Sequence, residues 1–160
     1  MGAELGLVGV RFYFHSGWAV QVDPSFEAEI IERGETLRMF NGDESREVSL
    51  SSMTFVRNDG KPFVADDILS VFPPREFQGL HFEHRKGGLA GRALWMFGNS
   101  DEDPPCWVLM AVMVSESAAR IARCTVVCRD ECDMDWALAT WRSVMRSEAP
   151  LKTKARAAKA

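Results

Sequence analysis

The sequence predicts a single α+β domain in which a largely antiparallel, meander-rich β-sheet is covered by helices. Three observations carry this: repeated runs of alternating apolar and polar residues, turn-forming dipeptides between the runs, and an amphipathic stretch over 133–147. A chain of 160 residues fits one domain. At that size roughly 68–70% of the unfolded surface is buried, so no disulfide staple is needed.

Leu7–Phe14 places Val8, Val10, Phe12 and Phe14 on one side, the period-2 pattern of a half-buried strand. His15-Ser16-Gly17 reads as a tight turn, and Trp18, Val20 and Val22 repeat the alternation, which predicts an N-terminal hairpin. After Asp23-Pro24-Ser25, the spacing of Phe26, Ile30 and Ile31 suits one helical face with Gly34 as its C-terminal cap. A short helix is the favoured reading there, although F-E-A-E-I also alternates as a strand. Thr36–Phe40 and Glu47–Val56 flank Asn41-Gly42, a strong turn dipeptide, and predict a second hairpin.

Val64, Ile68 and Phe72 fall at spacing four with Asp66 and Asp67 in the first turn, predicting a helix that ends before Pro73-Pro74. Strands are then expected at Leu80–His84, Leu89–Phe97, Trp107–Val114 and Ile121–Cys128, divided by Gly87-Gly88 and by the acidic N-S-D-E-D-P-P. The Trp107–Val114 run is apolar on both faces, which predicts a central strand covered on both sides. Met134, Leu138, Trp141 and Met145 form one helical stripe behind Asp133, a suitable N-cap, so the last helix should span 133–147 and pack on the sheet. The globular domain is read as 1–148 and residues 149–160 as a basic tail, frayed or disordered.

Charge narrows the function. The net charge is −4, and the tail contributes Lys152, Lys154, Arg156 and Lys159 with no acid, leaving a body at −8. An acidic body repels phosphate backbones, so nucleic acid is not expected as a partner. No run approaches the ~18 apolar residues of a membrane span, no basic-then-apolar leader opens the chain, and four cysteines without such a leader read as reduced thiols in a cytoplasm.

Cys124, Cys128 and Cys132 are spaced four apart, which raises the question of a metal or redox site. On a strand, Cys124 and Cys128 share a face but lie roughly 13 Å apart, too far for one metal ion. His81 and His84 would complete a Cys2His2 set only from opposite faces of their strand, and the spacing matches no familiar zinc motif. Buried small hydrophobes are the better reading, and neither metal nor cofactor is expected. No G-x-S-x-G or H-E-x-x-H motif is present, K-G-G-L-A-G-R lacks phosphate-loop spacing, and no catalytic residue is assigned. The five tryptophans sit in periodic apolar segments and are read as core, or as one lining a pocket.

The order of elements, together with the closing strand, turn and helix over Cys124–Ser147 ending T-W-R-S-V-M-R-S, resembles the PsbP-like α/β/α sandwich superfamily. That resemblance implies a non-catalytic interaction protein and carries no functional residue across. The residues themselves point to binding of another protein, one with a basic surface, through the acidic runs: Asp101, Glu102, Asp103, Asp130, Glu131 and Asp135 are the candidate contacts. An adaptor, an assembly factor and a toxin-neutralising protein of bacterial type all fit. The alternative is a small enzyme or ligand-binding domain with a pocket between the sheet and the 64–72 helix, with His15, His81 and His84 as acid–base candidates.

Overall fold

Alternation decides most of the backbone. The computed structural model describes residues 9–54, 57–61, 64–74, 76–98 and 105–147. The strands are β1 (Val10–Tyr13), β2 (Trp18–Val22), β3 (Glu27–Ile31), β4 (Thr36–Phe40), β5 (Arg46–Thr54), β6 (Leu80–Lys86), β7 (Leu89–Gly98), β8 (Cys106–Ser115), β9 (Arg120–Cys128) and β10 (Met145–Arg146). The helices are α1 (Ala65–Leu69) and α2 (Met134–Arg142). The predicted α+β class, its antiparallel meanders and the C-terminal helix on the sheet are all present.

The main sheet has the order β3-β4-β5-β9-β8-β7-β6 and is antiparallel throughout. Two meanders, β3 to β5 and β6 to β9, meet at one seam where Val48 faces Val126 and Leu50 faces Cys124. The period of two then sorts the side chains. Leu37, Met39, Val48, Leu50, Leu109, Ala111, Met113, Cys124 and Val126 all point to the face covered by α2 and the N-terminal hairpin, and all are buried. On the opposite face Ala65 and Leu69 of α1 close a smaller cluster over Ala90, Val112, Val114 and Ile121. β8 is therefore covered on both faces along Ala111–Ser115, as its apolar run predicts.

Three expectations are corrected. The Phe26–Gly34 segment is not a helix: Glu27–Ile31 pairs with β4, with Phe26 and Ala28 buried and Arg38 reaching Glu29 across the strands at 2.8 Å. Helical and strand spacings both fit the residues, and the free hydrogen-bonding edge of β4 selects the strand. Gly34 serves a turn instead, at φ +89, beside Glu32 and Arg33, which are also left-handed.

The last helix ends at Arg142 and not at Ser147. The Ser143 N–H bonds the carbonyls of Ala139 and Thr140, and its hydroxyl accepts from Gln21 N–H at 3.0 Å, which turns the chain onto β2. Met145 and Arg146 then pair with Ala19 and Trp18, making a separate three-stranded sheet β1-β2-β10. Ser147 N–H reaches Gly17 O at 2.9 Å, and a Cβ on Gly17 would stand 2.0 Å from the Ser147 carbonyl oxygen. Only glycine, at φ +82, fits that crossing.

Asp133 holds the N-cap position but makes no capping bond. Its carboxylate takes a paired interaction from Arg46, at 2.6 and 3.2 Å, and the guanidinium also lies 4.6 Å over the Trp136 ring. The helix predicted over 64–72 is the short α1, whose C-terminal Leu69 carbonyl accepts from Arg92. The Leu7–Val8 start of the first predicted strand and the 149–160 tail lie outside the described residues.

Candidate functional site

Two concave regions flank α2, and their chemistry is opposite. The first is a groove of about 860 Å³ at the far end of β7 and β8. It exists because Trp95, Phe97 and Trp107 share one face of adjacent strands and the cover of that face ends over the buried Trp95, leaving Trp107 half-buried and Phe97 exposed. Trp95 and Trp107 stack at 5.7 Å, and Phe97 meets Trp107 edge-on at 5.2 Å. Phe97 is 49% exposed and Leu80 on the groove wall is 55% exposed. Asp130 and Glu131, from the turn leading into α2, supply the groove's only ionised side chains among the described residues; no lysine or arginine lines it. Asp130 accepts from the Cys132 N–H at 3.0 Å, and hydrogen bonds from Cys132 hold its carboxyl below the usual range, so the charge persists at neutral pH.

The sequence-derived contacts divide at this point. Asp130 and Glu131 are exposed on the groove rim, whereas Asp135 lines the other cavity, across α2. Asp101, Glu102 and Asp103 fall outside the described residues; the strand ends that flank them, Gly98 and Cys106, pair at the groove end of the β7–β8 hairpin. The aromatic floor was not foreseen as a site, because Trp95, Phe97 and Trp107 alternate as core residues do.

The second region is a cavity of about 1200 Å³ between α2, β10 and the β6–β7 turn, where Gly87 and Gly88 are both left-handed. Arg11, Lys86, Arg142 and Arg146 line it, with Asp135 the one acid among the described lining residues. His84 also lines it, edge-on to Trp141 at 5.8 Å, and its pKa is lowered by burial and then by the charges of Arg142 and Lys86.

The pocket expected between the sheet and the 64–72 helix is a smaller hollow of about 680 Å³ beside Ser70 and His81. The three histidines do not converge. His15 Nε2 bonds the Gly34 carbonyl at 2.7 Å in a turn, while His81 and His84 face opposite sides of β6. Cys124 and Cys128 are buried on the core face of β9 with thiols pushed up to about 12, chiefly by desolvation. Cys132 is exposed, and all four cysteines are free thiols. Among the described residues no three His, Cys, Asp or Glu side chains gather at metal-binding distance, and no helix is long and apolar enough to cross a membrane.

No family model matches the chain, and neither does any curated protein sequence. Solved structures do resemble it. A protein of Bacteroides thetaiotaomicron VPI-5482 superposes with a TM-score of 0.58 at 7% identity, over 87% of this chain and 48% of that one. This chain thus spans about half the length of that protein. The Ran-binding protein Mog1p of Saccharomyces cerevisiae superposes with a TM-score of 0.55 at 7% identity, over 88% of this chain and 96% of that one. At such identities the likeness is one of fold.

Proposed function

We propose that the protein is a non-catalytic interaction domain, an adaptor, assembly factor or toxin-neutralising protein of bacterial type, that binds a basic, amphipathic segment of another protein in the aromatic groove. The observation that carries this reading is the groove's composition: Phe97 exposed and Trp107 half-buried over the buried Trp95, rimmed by Asp130 and Glu131, with no cation among the described lining residues. Large aromatic residues lose little conformational entropy when covered and dominate binding energy at interfaces, while rim carboxylates steer a cationic partner and set its orientation. In sequence, the acidic Asp101–Asp103 run falls between the two strands that carry Phe97 and Trp107. Free thiols agree with a reducing, cytoplasmic setting. The fold occurs in a protein described as Ran-binding, a precedent for an interaction role that transfers no residue.

The test places a photocrosslinking benzoylphenylalanine at Phe97 in the cell of origin. One predominant protein adduct is expected, and it should disappear in the Asp130→Lys/Glu131→Lys variant. Adducts that persist unchanged after the charge reversal, or no adduct at all, would remove the proposal.

A further inference from the structure

We infer that the cavity between α2, β10 and the β6–β7 turn binds a small organic anion bearing two or more acidic groups, sulfonate, phosphate or carboxylate, on an apolar body. This goes beyond the interaction role above and concerns a different surface. The body of the chain is acidic, yet this one concavity collects four basic side chains against one carboxylate among the described residues.

The cations come from separate elements: Arg11 from β1, Lys86 from β6, Arg142 from α2 and Arg146 from β10. Arg38, Arg46, Arg57, Arg85 and Arg92 all form ion pairs with acids of the protein. Arg11, Lys86 and Arg142 form none among the described residues, and all three line the cavity. The C-terminal end of α2 favours one nearby cation, Arg142, but that does not account for Arg11 and Lys86. Asp135, the one acid among the described lining residues, lies two helical turns from Arg142, about 10 Å along the axis.

Leu138, Ala139 and Leu89 form apolar wall between the charged ends. Cations brought together from separate elements with apolar surface among them match a ligand that carries more than one acid on an apolar body. At about 1200 Å³ the cavity exceeds the ~300–1000 Å³ typical of small-ligand sites only by room for water. Burial lowers the His84 pKa first and the charges of Arg142 and Lys86 lower it further; a bound anion would oppose those two charges.

The experiment titrates the full chain with 1,5-naphthalenedisulfonate by calorimetry and maps the site by amide chemical shifts. Binding is expected with shifts concentrated at Lys86–Leu89 and Arg142–Arg146. The Lys86→Gln/Arg142→Gln variant, both exposed side chains, should melt within about 2 °C of the parent and bind at least about tenfold more weakly. Asp130→Asn/Glu131→Gln should bind as the parent does, which separates this site from the aromatic groove. No binding up to about 10 mM would overturn the inference. So would equal affinity for uncharged 1,5-dihydroxynaphthalene, full competition by sulfate alone, or tighter binding of a polyglutamate peptide, the last marking the cavity as a peptide site.

Discussion

Replacing Gly91 with alanine sets two effects of opposite sign against each other. Gly91 lies in the middle of β7 with φ outside the left-handed region, so alanine suits its backbone and would gain about 0.4–1 kcal/mol by restricting the unfolded chain. The new Cβ, however, would stand 2.6 Å from the Val112 carbonyl oxygen, 2.9 Å from Trp141 Cζ2 and 3.0 Å from Met113 Sδ. The carbonyl belongs to the neighbouring strand and cannot retreat without parting β7 from β8. Trp141 is fully buried and its indole N–H is bonded to that same carbonyl at 3.3 Å. Overpacking of this kind costs about 1–3 kcal/mol, so the clash outweighs the entropy gain and a net loss of about 1–2 kcal/mol is expected. For a chain of this length that lowers Tm by roughly 2–8 °C. Urea titration followed by far-UV circular dichroism measures it directly. Trp141→Phe removes the Cζ2 contact but not the carbonyl contact, so Gly91→Ala should cost less in that background by about 0.5–1 kcal/mol. A Gly91→Ala protein as stable as its parent, or a cost unaltered by Trp141→Phe, would refute the close packing of α2 on β7.

Trp18 and Trp141 are both fully buried, but the Trp18 indole N–H has no partner among the described residues, so Trp18→Phe should cost about 1 kcal/mol less than Trp141→Phe in parallel urea titrations. Arg46→Met leaves the Asp133 carboxylate, 15% exposed, without its guanidinium and uncovers Trp136; a loss of about 1–3 kcal/mol is expected by thermal melting. In native protein at pH 8, iodoacetamide followed by peptide mass mapping should modify Cys132 well before Cys124 and Cys128, which become reactive only on unfolding. An NMR titration should place His84 below the ordinary histidine pKa. The folded state then holds fewer protons than the unfolded chain between the two values, so its contribution to stability rises with pH through that interval and is lost on acidification.

Elements whose information is local could be read directly from the residues. Gly87-Gly88 marks a turn through backbone preference, Asn41 marks one through its side-chain bonds to Ser45 and Arg46 with Glu44 as the left-handed residue, and the double-faced apolar run of β8 marks a covered strand. The segments that misled are those settled by a distant partner: Glu27–Ile31 became a strand because β4 offered an edge, and Met145 left the helix because β2 offered another. The site followed the same division. Asp130 and Glu131 could be found as a charged run, but the groove beneath them needs Leu80, Phe97 and Trp107 brought side by side. The basic cavity left no trace in the chain, since Arg11 and Arg142 are far apart in it and the surrounding composition is acidic.

The pairing of β10 with β2 has a consequence for synthesis on the ribosome. Met145 meets Ala19 only after about 125 further residues have been added, a delay of about 6–25 s at ~5–20 residues per second. During that interval Trp18, Val20 and Val22 have left the exit tunnel without α2 and without their edge partner, and the neighbouring meanders are complete before the hairpin's own cover exists. A message truncated before Met145 therefore releases a chain with an open strand edge at its beginning, a surface that chaperones and aggregating neighbours recognise alike.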